Sequence, residues 1–133
     1  MKIQWKEEYN TNIKLIDEQH FRFIMELNSL FDKKIFSEKE MLIKKFNAIY
    51  KEIEIHFTTE EKFMHDYKFS GYFSHKSEHD RFKRNFLEQI SQIDNGKMDN
   101  LEKMVFSISN WFVNHLEIND KKLAKYLNLI NVY

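Results

Sequence analysis

The sequence predicts an all-α protein, an antiparallel up-down-up-down four-helix bundle with an N-terminal arm, and three observations predict it. The 133 residues include no Pro and only two Gly, 32% are charged, and Lys, Glu, Leu, Ile and Phe abound, which favours long helices over turn-dense sheet. Apolar residues recur at steps of three, four and seven, the mark of a buried helical stripe. The breaks between these stripes are short, and short connections make sequential helices antiparallel neighbours. Residues 1–133 contain no repeat or linker and read as one domain, long enough to hide roughly two-thirds of its unfolded surface.

The first stripe runs through Ile16, Phe23, Ile24, Leu27, Leu30 and Phe31, which predicts a helix from about Leu15 to Phe36. Ser37 followed by Glu40 reads as a capping box opening the second helix, whose stripe is Leu42, Phe46, Ile49, Ile53, His56, Glu60 and Phe63. Ser70 reads as the N-cap of the third, with Tyr72, His75, His79, Phe82, Phe86, Ile90 and Ile93 on its seam and Asn95-Gly96 as its left-handed stop. Asp99 with Glu102 reads as the start of the fourth, continuing through Leu101, Met104, Ile108, Trp111 and His115. Lys121 to Leu129 predicts another helical turn or two, and Trp5 and Tyr9 are expected to pack the arm, Met1 to Lys14, against the bundle.

With 21 basic and 21 acidic residues the chain lacks the electrostatic footprint of a nucleic-acid binder and any polybasic membrane patch. Zero cysteine removes disulfides, thiolate nucleophiles, iron–sulfur clusters and thiolate zinc sites, so a metal has to be held by His and carboxylate. Met1 to Asn10 carries Lys2, Lys6, Glu7 and Glu8 without a long apolar run, and no later stretch approaches about 20 apolar residues. The expectation is a cytoplasmic protein with no membrane partner.

Five of the six histidines, His20, His56, His75, His79 and His115, lie on or beside these apolar seams. Burying five imidazoles separately would cost each its hydration, so a shared partner is the economical explanation. His56 and Glu60 are four apart and project from one helical face, as do His75 and His79. His115 and Asp120 are five apart, about 140° on a regular helix, so they share a site only if the backbone ends or bulges across Leu116 to Asn119; a π-bulge would serve. His65, nine after His56, falls on the opposite face and reads as a surface residue.

Taken together, Ile16-Asp17-Glu18-Gln19-His20, His56-Phe57-Thr58-Thr59-Glu60-Glu61 with Met64, His75-Lys76-Ser77-Glu78-His79 and Trp111-Phe112-Val113-Asn114-His115 through Asp120 resemble a bacterial hemerythrin over nearly the whole chain. Two positions depart from that pattern: Phe69-Ser70 stands where Tyr-Pro is frequent, and Asn12 where Gly is common. The resemblance implies two iron ions per chain, bridged by an oxo or hydroxo group, Glu60 and Asp120. His75, His79 and His115 would hold one ion and His20 and His56 the other, whose open position would take O2. It further implies reversible oxygen binding for storage, delivery or buffering rather than catalysis. The alternatives on the same residues are an oxygen or redox sensor acting through a separate partner, or a di-iron peroxidase or nitric oxide reductase. Imidazole with bridging carboxylate suits a pair of octahedral ions better than tetrahedral zinc, and the Glu-x-x-His sets of ferritin-like bundles are missing from the seams, where Lys76 precedes His79 and Ile53 precedes His56 by three. Phe23, Ile24, Trp111 and Phe112 are the expected pocket lining, and Gln19 and Glu61 the expected hydrogen-bond partners of ligand histidines.

Overall fold

The structure is a computed structural model and describes residues 2–32 and 38–133. Among the described residues all regular structure is helical: a short 3-10 turn at Glu7–Tyr9, then α1 (Lys14–Ser29), α2 (Lys39–Asp66), α3 (Tyr72–Asp94), α4 (Leu101–His115), a π-helical segment at Leu116–Asp120, and α5 (Lys121–Leu129).

The core is split into two apolar clusters. One is built on Phe23, Leu27, Phe46, Ile49, Ile53, Phe82, Phe86, Val105 and Phe112, the other on Ile13, Ile16, Met64, Leu123 and Leu127. A buried polar layer of His20, His56, Glu60, His75, His79, His115 and Asp120 lies between them, drawn from α1 to α4 and the π-helical segment. Along α1 the chain passes from Ile16 in the small cluster through His20 to Phe23 in the large one, and along α2 it returns from Ile53 through His56 and Glu60 to Met64. α3 repeats the direction of α1, and α4 with α5 repeats that of α2, which is the up-down-up-down alternation expected from the short connections.

The N-terminal arm is tied down along its length. Asn28 exchanges two hydrogen bonds with the Ile3 backbone, each 2.8 Å, Trp5 meets Tyr9 and Phe21 edge-on, and Lys121 Nζ donates to the Asn10 carbonyl at 2.7 Å. Asn12 adopts φ 60°, the left-handed conformation that favours glycine, and Asn is among the few other residues that enter it at modest cost. The Asp17 carboxylate then accepts from the Thr11 N–H (2.8 Å) and hydroxyl (2.7 Å), locking the entry to α1.

Four expected boundaries shift. α1 stops at Ser29, well short of Phe36: the Ser29 hydroxyl bonds back to the Glu26 carbonyl at 2.6 Å, and the chain tightens into i→i−3 bonds from Leu30 to Leu27 and Phe31 to Asn28. Phe36 and Ser37, and with Ser37 half of the expected capping box, lie outside the described residues, and Glu38 is the N-cap of α2. Gly71, not Ser70, precedes α3, and the Phe69 ring occupies the place a Cβ on residue 71 would take, 2.6 Å away. Asn100, not Asp99, precedes α4, and neither cap is made by a side chain. Helix phase comes from buried stripes, whereas a capping box is a local alternative that the tertiary register overrides here. The Asn95-Gly96 stop is as expected: Gly96 has φ 82°, and the Gly96 and Lys97 N–H groups return to the Ile93 and Gln92 carbonyls at 2.9 Å each.

Tyr67-Lys68-Phe69 makes the same terminal motif at the end of α2, with Lys68 at φ 55° in the position Gly96 occupies after α3. The two sites give paired expectations, read by denaturant unfolding. Gly96→Ala, with open space around its Cβ, should cost about 1–2 kcal/mol from backbone strain alone. Lys68→Gly should leave stability unchanged or raise it by up to about 1 kcal/mol.

Candidate metal centre

Each helix delivers its polar residues to the middle layer by a different local device. α2 and α3 use the ordinary i,i+4 spacing: His56 Nε2 stands 3.5 Å from Glu60 Oε1, and the His75 and His79 rings are 4.5 Å apart. α1 contributes His20 alone. After His115 the helix widens into the π-helical segment Leu116–Asp120, adding a residue to the turn. That widening carries Asp120 round to its partner, and His115 Nε2 stands 3.1 Å from Asp120 Oδ1.

Two donor groups result, sharing both carboxylates: Glu60, His75, His79, His115 and Asp120 in one, and His20, His56, Glu60 and Asp120 in the other. Nitrogen and oxygen atoms converge throughout. His20 Nε2 is 3.0 Å from Asp120 Oδ2, His75 Nε2 is 3.1 Å from Asp120 Oδ1, and His79 Nε2 is 3.2 Å from Glu60 Oε1. Yet both oxygens of Glu60, both of Asp120, His20 Nε2 and His56 Nε2 are buried without an aligned hydrogen bond. Orphaned atoms of this kind are costly unless something bonds to them. His115 Nε2 also points at His75 Nε2 (3.0 Å) and His79 Nε2 (3.1 Å). Two nitrogens about 2.1 Å from one ion stand ~3.0 Å apart at a right angle and ~3.4 Å at the tetrahedral angle. The spacing therefore suits nitrogens that converge on one ion.

Three of the five outward nitrogens, those of His56, His79 and His115, are held by side-chain hydrogen bonds. His56 Nδ1 meets Gln19 Oε1 at 2.8 Å, and His79 Nδ1 meets Glu61 Oε2 at 2.9 Å, as the sequence suggested. His115 Nδ1 meets Glu78 Oε2 at 3.1 Å, a partner that sequence reading missed. Phe57 was also missed: it lies flat on His79, 3.8 Å between ring centres. Of the expected lining, Phe112 packs edge-on against His20 and Phe23, Ile24 belongs to the large apolar cluster, and Trp111 instead stacks on His115 at 4.6 Å. His65 is exposed beside Asp66, away from the layer.

Without an ion, protons take over the balancing of charge. Burial is the largest influence on His56 and pushes it down to about 3 despite Glu60. Burial also opposes charging of His75, but the Asp120 and Glu60 carboxylates outweigh it and hold that imidazole up at about 10; Asp120 raises His115 likewise. Burial would raise both carboxyls, yet the surrounding histidines keep Glu60 down at about 2 and Asp120 well below its ordinary value. His75 thus contributes stability to the metal-free protein that is complete below about pH 6.5 and lost as pH rises through about 10. Glu60 contributes stability present above about pH 4.5 and lost as pH falls through about 2. Loading zinc or ferrous ion near neutral pH should therefore expel a proton from His75, with affinity rising as pH is raised. An indicator dye in weak buffer measures this, and metal uptake without proton release would contradict the charge assignment.

The sequence and the fold agree with known proteins. The hemerythrin HHE cation binding domain family matches residues 11–127. Bacteriohemerythrin from Pseudomonas aeruginosa (strain LESB58) is 30% identical over 118 residues, covering 87% of this chain and 75% of that protein. Bacteriohemerythrin from Aquifex aeolicus (strain VF5) is 31% identical over 116 residues, covering 84% and 87%. A crystal structure of wild-type hemerythrin shares the fold with a TM-score of 0.87 at 23% identity, over 94% of this chain and 97% of that one. With the family matched from Thr11 to Leu127, a span that contains every residue of the buried polar layer, the chain belongs to the hemerythrin family.

Proposed function

We propose that this chain binds dioxygen reversibly at a pair of iron ions, one held by His75, His79 and His115, the other by His20 and His56, with Glu60 and Asp120 spanning both. The observation that carries the reading is the unequal division of donors around two shared carboxylates: three histidines on one side, two on the other. With both ions bound, the side with two would have one protein donor fewer, which would leave room for a small exogenous molecule. When bound, a pair of ferrous ions supplies the electrons with which dioxygen is held.

The protein's own task is positioning and exclusion. The helix spacing and the π-helical segment preset the seven side chains, and hydrogen bonds from the His56, His79 and His115 Nδ1–H groups to Gln19, Glu61 and Glu78 fix the orientations of three imidazoles. On the two-histidine side, Phe112 packs edge-on against His20 with Phe23 edge-on behind it, an apolar cover that keeps water from that side of the site. Among the described residues no helix is long and apolar enough to cross a membrane.

Iron-loaded protein, reduced anaerobically, exposed to oxygen and purged, should show about two irons per chain and a visible spectrum that appears with oxygen and fades on purging. Continuous turnover of peroxide or nitric oxide would instead favour an enzyme, and failure to retain iron would sink the proposal. Phe112→Leu, which keeps an apolar side chain but opens the cover over His20, should speed the irreversible loss of the oxygenated spectrum several-fold at unchanged iron content.

A further inference from the structure

The five histidines are not supported alike behind their inward nitrogens. His79 and His115 each meet a carboxylate, Glu61 at 2.9 Å and Glu78 at 3.1 Å. His56 meets the neutral amide oxygen of Gln19 at 2.8 Å. That amide cannot turn round without loss, because its Nε2 donates to Thr59 Oγ1 at 3.0 Å and the Thr59 hydroxyl donates onward to the Ile55 carbonyl at 2.8 Å. His20 Nδ1 is buried with no polar partner. Carboxylate support is therefore confined to the three-histidine side.

An imidazole whose N–H is drawn toward a carboxylate is a stronger electron donor through its other nitrogen than one drawn toward an amide. The carboxylates also add negative charge close to that position. Glu61 is only 17% exposed, so solvent screens it weakly, while Glu78 at 40% is screened more.

Resting on the seven-residue metal reading above, we propose that Glu61 and Glu78 make the two metal positions electronically unequal. The His75, His79 and His115 position binds a divalent ion first and holds the higher oxidation state more readily. The His20 and His56 position, with neutral support, is the weaker of the two. Glu61 and Glu78 act as positioning and polarising residues, since neither touches the shared space between the carboxylates.

Cobalt(II) shifts the ring N–H proton of a histidine bound to it far outside the ordinary proton NMR range, so the outward N–H groups of His79 and His115 report one position and that of His56 the other. Cobalt(II) titrated into the metal-free protein should bring out the shifted His79 and His115 signals with the first equivalent and the His56 signal with the second, the His56 signal being the one displaced in Gln19→Glu protein. In a Glu61→Gln/Glu78→Gln background the three signals should grow together. In iron-loaded protein the same pair should make the first one-electron oxidation harder by at least tenfold in equilibrium with a mediator, 59 mV. Mössbauer spectra of half-oxidised samples would show which position loses its preference. Gln19→Glu is the converse variant, expected to tighten the second cobalt equivalent and ease the second oxidation, and it carries the test alone if the double variant fails to fold. Simultaneous growth of all three signals in the unaltered protein, or variants that move neither order nor potential, would overturn the inequality. Absence of both cobalt and iron binding would overturn the metal reading itself.

Discussion

Two buried carboxylates and five buried imidazoles, collected in one layer across the bundle, are the constraint on which the rest of the structure depends. Such a layer is costly in an apolar interior unless every polar atom is bonded, and several of these atoms are bonded to nothing in the protein. The layer therefore specifies both a partner and a register. A helix slipped by one turn would move a histidine into an apolar cluster and bring an Ile or Phe into the polar layer.

The apolar clusters on either side serve that register. Phe46, Ile49, Ile53 and Phe86 pack the larger cluster, and Ile13, Ile16, Met64 and Leu123 the smaller. Together they hold the bundle on both sides of the polar layer. The aromatic rings nearest the layer divide by side: Phe23 and Phe112 at His20, Phe57 and Trp111 at His79 and His115. The hydrogen bonds behind the histidines divide in the same way, neutral on one side and charged on the other. The site is asymmetric in donor number, in cover and in support.

Much of this was legible in residue spacing. The His56/Glu60 and His75/His79 pairs sit four apart on seams whose phase is unambiguous, and the five-residue gap from His115 to Asp120 required a break in regular helix, which the π-helical segment supplies. Helix ends were less legible. Ser70 and Asp99 have the right side chains to cap a helix, but Phe69 packing against Gly71 and the start of α4 at Leu101 place the true ends one residue later. Trp111 has seam spacing yet faces His115 rather than the two-histidine side, a distinction of a few tens of degrees that periodicity does not resolve.

What the sequence determined alone was the all-helical class, the stripe on each helix, the donor chemistry left when cysteine is absent, and the five histidines and Glu60 that lie on or beside those stripes. Each is set by covalent order and helical periodicity, which act within one element. Which helix supplies the partner of which histidine was decided only by the tertiary structure. Glu78 reaching His115 across from α3, Phe57 lying on His79 and Gln19 held by Thr59 all depend on the rotation of one helix against another. That rotation is set by packing of the two apolar clusters, to which residues far apart in the chain contribute together.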